Sequence, residues 1–188
     1  MNNEEWKKSV NALDMLKALH LKPDFDSPAN KKRLHQYYIS CCVRYSHMVN
    51  LKKLWDGIQA SEKFREKLIT YKSLNDFEWK AEGTVFQLEY NLLSNRKEND
   101  LVFKRVRIKT RLPHKEAYDF VVSLAYFIDW CILYQAEWKR DRLPQSYKEH
   151  LCPKLLRRYF PSPLAYPHTN ADKLQNPTSS APPTKHPP

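Results

Sequence analysis

From Pro113 to about Arg140 the chain carries its longest apolar stretch. Proline suits the first position of a helix, where its missing N–H is not needed. Apolar residues then fall on nearly every side, so the spacing predicts a central helix that the other elements cover. Asp119, Asp129 and Glu137 interrupt the stretch, which favours a buried helix over a membrane span. An ionised Asp129 in such a helix needs a partner. A salt bridge or a bond to a neighbouring helix is expected, with a catalytic carboxylate as the other reading.

The rest of the chain supplies elements to surround that helix. Trp6, Val10, Leu13, Leu16 and Leu19 recur at three- and four-residue steps and predict one helix over 3–21, ended by Pro23. Ser27-Pro28 reads as an N-cap and first helical position. The helix it opens places Leu34, Tyr38, Cys41, Tyr45 and Met48 on one face and continues towards Trp55, with Gly57 as the stop. Phe64, Leu68 and Tyr71 mark a shorter helix over 61–71. Pro144 starts a final helix carrying Tyr147, Leu151 and Leu155, which Pro153 should kink or divide.

Between these helices the period changes. Phe86, Leu88, Tyr90 and Leu92 alternate with polar residues, the pattern of a half-buried strand. Phe77, Trp79 and Ala81 alternate in the opposite phase, and Gly83 between them suits a bulge. A second strand has Val106, Ile108, Thr110 and Leu112 on one face and Arg105, Arg107, Lys109 and Arg111 on the other. The predicted hairpin, near 84–112, sets Phe86, Leu88 and Tyr90 against Ile108, Val106 and Lys104, with Glu89 facing Arg105. The fold class expected is α+β and mainly helical: five or six helices around a central apolar helix, with one antiparallel β-hairpin.

The domain should span 1–164. Eight of the 13 prolines lie from Pro161 onward, among Ser, Thr, Asn and Ala, so 165–188 is expected to be a disordered Pro-rich tail. That tail holds two lysines and one aspartate. Ten of the eleven surplus positive charges therefore belong to the domain.

This surplus points to a polyanion: nucleic acid, an acidic protein surface or anionic lipid. Same-face residues of a strand repeat every ~6.7 Å, close to the phosphate step of an extended nucleic-acid strand, so Arg105, Arg107, Lys109 and Arg111 would form a cationic ladder. An ordinary solvated strand face would carry the same residues. Lys31, Lys32 and Arg33 stand at a helix start, where the dipole disfavours cations, and are auxiliary candidates for an external anion or a nuclear-import signal. Lys139, Arg140 and Arg142 suit the end of the central helix.

Other chemistry finds less support. Gly57 and Gly83 are the only glycines, which excludes glycine-cradled nucleotide sites. Cys41, Cys42, His47, Cys131, His150 and Cys152 could converge on zinc, yet there is no CxxC pair, and buried free thiols are the simpler expectation. Glu78-Trp79-Lys80 on a strand, with Asp56 upstream, has the local form of a metal-dependent nuclease. No cofactor is called for. The first ten residues lack a signal-peptide pattern, and the cysteines suit a reducing compartment, nuclear or cytoplasmic.

Trp138 followed by Tyr147-Lys-Glu-His150-Leu151 resembles the end of the small nuclear nonstructural protein of some parvoviruses, over residues 138–151. The resemblance implies a compact viral accessory protein and carries no site residues. The function expected first is a non-enzymatic basic module that binds RNA or DNA through phosphates with weak sequence specificity. A protein-interaction adaptor using the basic face and the Pro-rich tail is the alternative, and a metal-dependent nuclease the third.

Overall fold

A computed structural model of the chain describes residues 1–46, 48–49, 51–93, 114–134 and 145–163. Among them there are seven α-helices, two short 3-10 segments and no strand. The helices are α1 (Asn3–Lys8), α2 (Ala12–His20), α3 (Pro28–Val43), α4 (Lys52–Arg65), α5 (Tyr71–Leu93), α6 (His114–Leu133) and α7 (Pro153–Tyr159). The 3-10 segments are Pro23–Asp26 and Gln145–His150.

α6 is the centre that its composition predicts. Val121, Leu124, Ala125, Phe127, Ile128, Cys131 and Ile132 are fully buried, and α3, α4, α5 and the Gln145–His150 segment pack around it. Both α3 and α5 run antiparallel to it. Tyr45 meets Phe120 while Tyr38 meets Tyr134, and Glu89 bonds Tyr126 while Glu78 and Glu82 lie near Asp129.

The N-terminal helix is divided where one continuous helix was expected. Asn11 caps α2 by accepting from the backbone N–H of Leu13 and Asp14, and Ser9 leaves α1 in extended geometry. Val10 falls in the break and is 90% exposed, so it is no part of the apolar stripe. Trp6 still anchors α1, its indole N–H donating to the Phe160 carbonyl at 3.0 Å. Arg157 donates to the Ser9 carbonyl at 2.8 Å, satisfying the end of α1.

Ser27 and Pro28 open α3 as cap and first position. Gly57 does not stop a helix. It lies buried inside α4, where its missing Cβ lets Ile132 of α6 approach. α4 ends instead at Arg65, and Lys67, two residues on, has a left-handed φ of 61°. Its N–H bonds the Phe64 carbonyl and that of Leu68 the Lys63 carbonyl, the pairing of a Schellman cap. Pro153 divides the C-terminal element, as its position predicts, into the Gln145–His150 segment and α7.

The main correction concerns the hairpin. Its first strand is the second half of α5, a 23-residue helix. Leu74, Ala81, Val85 and Leu88 are its buried side, with helical spacing. Phe86 and Tyr90 lie on the opposite, exposed side. Two apolar stripes on opposite faces of one helix, sampled at 86, 88 and 90, read as a strand's alternation. The composition of α5 argues the same way, because Thr84 and Val85 are its only β-branched residues. The second strand, carrying Val106, Ile108, Thr110 and Leu112, and the tail, 165–188, lie outside the described residues.

Candidate functional site

The cations of the predicted ladder, Arg105, Arg107, Lys109 and Arg111, lie outside the described residues, in the 94–113 connection between α5 and α6. The partner strand assumed for them is helical, so the register against Phe86–Tyr90 does not exist. Glu89, assigned to Arg105 in that register, accepts a short hydrogen bond from the Tyr126 hydroxyl.

Lys31, Lys32 and Arg33 are described. They stand together near the start of α3, all half-buried, and Arg33 donates to the Asn30 side chain at 3.4 Å. They stand at the opposite end of α6 from the one at which the chain enters that helix. His35 lies beside Cys131 and Tyr134, so the cations just before it sit near the C-terminal end of α6. The 94–113 connection joins α6 at its N-terminal end. The 20 residues of α6 place these ends ~30 Å apart.

The middle of α5 and α6 is acidic. Asp129 is half-buried, one carboxylate oxygen has no hydrogen-bond partner, and no cation pairs with it among the described residues. Burial, with Glu78 and Glu82 across the seam, raises its pKa from 3.8 to about 7. The expected ion pair is therefore replaced by facing carboxylates. The nuclease pattern also loses its basis. On α5, Glu78 and Lys80 are two positions apart, ~200° around the helix, and cannot address one phosphate. Lys80 lies over the Phe77 ring, and Asp56 pairs with Lys52.

Two buried imidazole networks escaped the sequence reading, which named His150 only as a possible zinc ligand. Arg65 donates to His35 Nδ1 at 3.2 Å. Nε2 therefore carries the proton and faces Ser61 Oγ at 2.9 Å and the Cys131 carbonyl at 3.2 Å. Burial, then the Arg65 charge, lowers the His35 pKa to about 3. The group ties α3, α4 and α6 together. Its only trace in the sequence is a histidine within the apolar face of α3, and Ser61 and Arg65 one turn apart on α4.

His150 is enclosed by Tyr45, Phe120 and Phe127, and burial lowers its pKa to about 4. Its Nε2 lies 2.9 Å from Ser123 Oγ, which is 3.3 Å from a Glu149 carboxylate oxygen. The single hydroxyl proton serves either His150 Nε2 or Glu149, according to the tautomer of the imidazole. Nδ1 has no partner, and the three rings fill the space around the imidazole. This is a structural relay and lacks the orienting acid of a nucleophilic triad.

The cysteines converge in part. Cys42 and Cys131 face each other across α3 and α6 with sulfurs 3.6 Å apart. Tyr37, which bonds the Cys41 thiol, accepts from the Cys152 N–H at 3.2 Å. All four are free. Burial pushes Cys41 up to about 12 and raises Cys131 as well, so these are protonated thiols in apolar packing. His150 turns to Ser123, His47 lies outside the described residues, and no metal-holding group of three or more His, Cys, Asp or Glu occurs among those described.

These features define a basic, mainly helical domain with a packed centre and, among the described residues, no strand and no helix long and apolar enough to cross a membrane. No family model, curated protein or solved structure matches the chain. The resemblance of residues 138–151 to a parvoviral protein therefore transfers nothing.

Proposed function

We propose that the chain is a non-enzymatic basic module that holds nucleic acid through its phosphates, with weak sequence specificity. The observation that carries this reading is the segregation of charge along α5, the connection and α6. The helices bring carboxylates together at their seam, whereas 94–113 holds Arg96, Lys97, Lys104, Arg105, Arg107, Lys109 and Arg111 against Glu98 and Asp100 alone. Arg105, Arg107, Lys109 and Arg111 are the main contacts in this reading. Lys31, Lys32 and Arg33 serve as auxiliaries in this reading. Phosphate contacts make the affinity depend steeply on salt. Binding to RNA, DNA and polyglutamate across a salt series tests the proposal. A steep slope for the nucleic acids and no retention of polyglutamate is expected; equal retention of all three would refute a nucleic-acid module.

A second reading, the protein-interaction adaptor, is favoured by one feature. α5 is apolar on its outward side as well as its inward side.

A further inference from the structure

Trp79, Gly83, Phe86 and Tyr90 follow at steps of four, three and four along α5, the spacing of a single helical stripe. The stripe faces away from the core: Trp79 is 64%, Phe86 51% and Tyr90 57% exposed. A Cβ added at Gly83 would meet nothing within 4 Å, so the glycine leaves an open notch between two aromatic rings. Phe86 is steadied by an edge contact with Tyr126 of α6, rings 6.3 Å apart. The stripe's edges differ. One carries Asp76, Lys80 and Gln87; the other carries Glu82 and Glu89 and adjoins the seam that holds Asp129.

We propose that this face of α5 docks a cationic amphipathic helix supplied by another protein. The occupant's apolar side chains lie along the stripe, one of them entering the Gly83 notch, and its Lys or Arg residues run beside Glu82 and Glu89. Charge selects this occupant. A polyanion is repelled by the acidic edge. A second copy is disfavoured in either direction: antiparallel pairing sets Glu82 and Glu89 against the same residues of the other chain, and parallel pairing sets Asp76 on Asp76. Area argues the same way. Three half-exposed aromatic side chains offer roughly 300–400 Å², well short of the ~800 Å² per partner of a standard stable interface. That suits a single docked helix with charged contacts along one edge. The inference rests on the adaptor reading and is independent of nucleic-acid binding.

The test uses the full chain and a fluorescein-labelled helical peptide with Leu at i, i+3, i+4 and i+7 and Lys along one edge, followed by anisotropy. A peptide with Glu replacing each Lys is the counterpart. The Lys peptide should bind at least tenfold tighter than the Glu peptide. Gly83→Gln, which fills the notch at an open and helix-compatible position, should weaken it tenfold or more. Glu82→Gln with Glu89→Gln should weaken it severalfold, while nucleic-acid binding by both variants stays at the parent level. Equal binding of the two peptides, or an unchanged Kd in Gly83→Gln, overturns the proposal. So does a concentration-dependent dimer in sedimentation that Gly83→Gln abolishes, because the occupant would then be a second copy.

Discussion

Arg65 donates a hydrogen bond to His35 Nδ1 across 3.2 Å, and the bond leaves the imidazole neutral. A guanidinium has no acceptor, so its partner nitrogen is bare and Nε2 holds the proton. The native histidine should therefore show the Nε2–H tautomer by NMR, without titrating between pH 8 and 5. His35→Ala should cost ~2–4 kcal/mol, because it cuts the link among three helices and leaves Arg65 without its acceptor. Denaturant unfolding measures the loss. An imidazolium signal near pH 6 would show that the network is wired differently.

The two glycines and Lys67 should respond in opposite senses. Gly83 occupies an open position inside α5, so Gly83→Ala should stabilise by up to ~1 kcal/mol. Lys67 holds the left-handed cap position that glycine fills without strain, and Lys67→Gly should add a gain of ~0.5–1 kcal/mol. Gly57→Ala should destabilise, because the new Cβ collides with Ile132 Cδ1 and lies 3.1 Å from Cγ1. Ile132→Val, which removes Cδ1, should recover part of that loss in the double variant. Thermal melts of the four variants decide each sign.

Asp129 makes stability depend on pH near neutrality. Its folded pKa, about 7, lies above its ordinary 3.8, so the folded state binds the extra proton. The penalty is absent below pH ~4, grows as pH rises towards 7 and is complete above it. Asp129→Asn should therefore raise stability at pH 8 by about 1–2 kcal/mol after solvent screening, and its advantage should fade by pH 5. His35 and His150 act oppositely. Their folded pKa values lie below 6.5, so their contribution is intact above that pH and is lost as pH falls towards about 4 and about 3. A variant less stable than the parent at pH 8 would mean that Asp129 has a cationic partner.

The central helix and several helix boundaries were legible because local physics sets them. Ser27-Pro28 and Pro153 act through their own backbones, and α6 is apolar almost regardless of register. Asn11 was missed because a capping residue inside an unbroken apolar stripe looks like part of the helix. α5 was misread because its second stripe faces outward, and alternation alone cannot tell a strand from a helix with two apolar sides. The His35 and His150 networks were not legible. Their partners come from α4, α6 and the Gln145–His150 segment, up to 96 residues apart in sequence for His35 and Cys131.

The packed thiols predict a reactivity pattern. Cys41, Cys42 and Cys131 are wholly buried, whereas Cys152 is half-buried. A disulfide reagent should modify at most one thiol in the native protein and all four after denaturation. Rapid native modification of two or more would show that α3 and α6 separate readily.

The central claim is that the cations of the 94–113 connection hold phosphates. Its most direct measurement is the salt dependence of nucleic-acid binding by the parent chain and by Arg107→Gln, Lys109→Gln, Arg111→Gln combined. The triple variant should keep the parent's melting temperature and flatten the slope of log K against log salt by roughly two to three units, because each phosphate left without its cation takes ~0.7–0.9 from the slope. A variant that binds with the parent's affinity and slope would contradict the claim and leave the adaptor reading in its place.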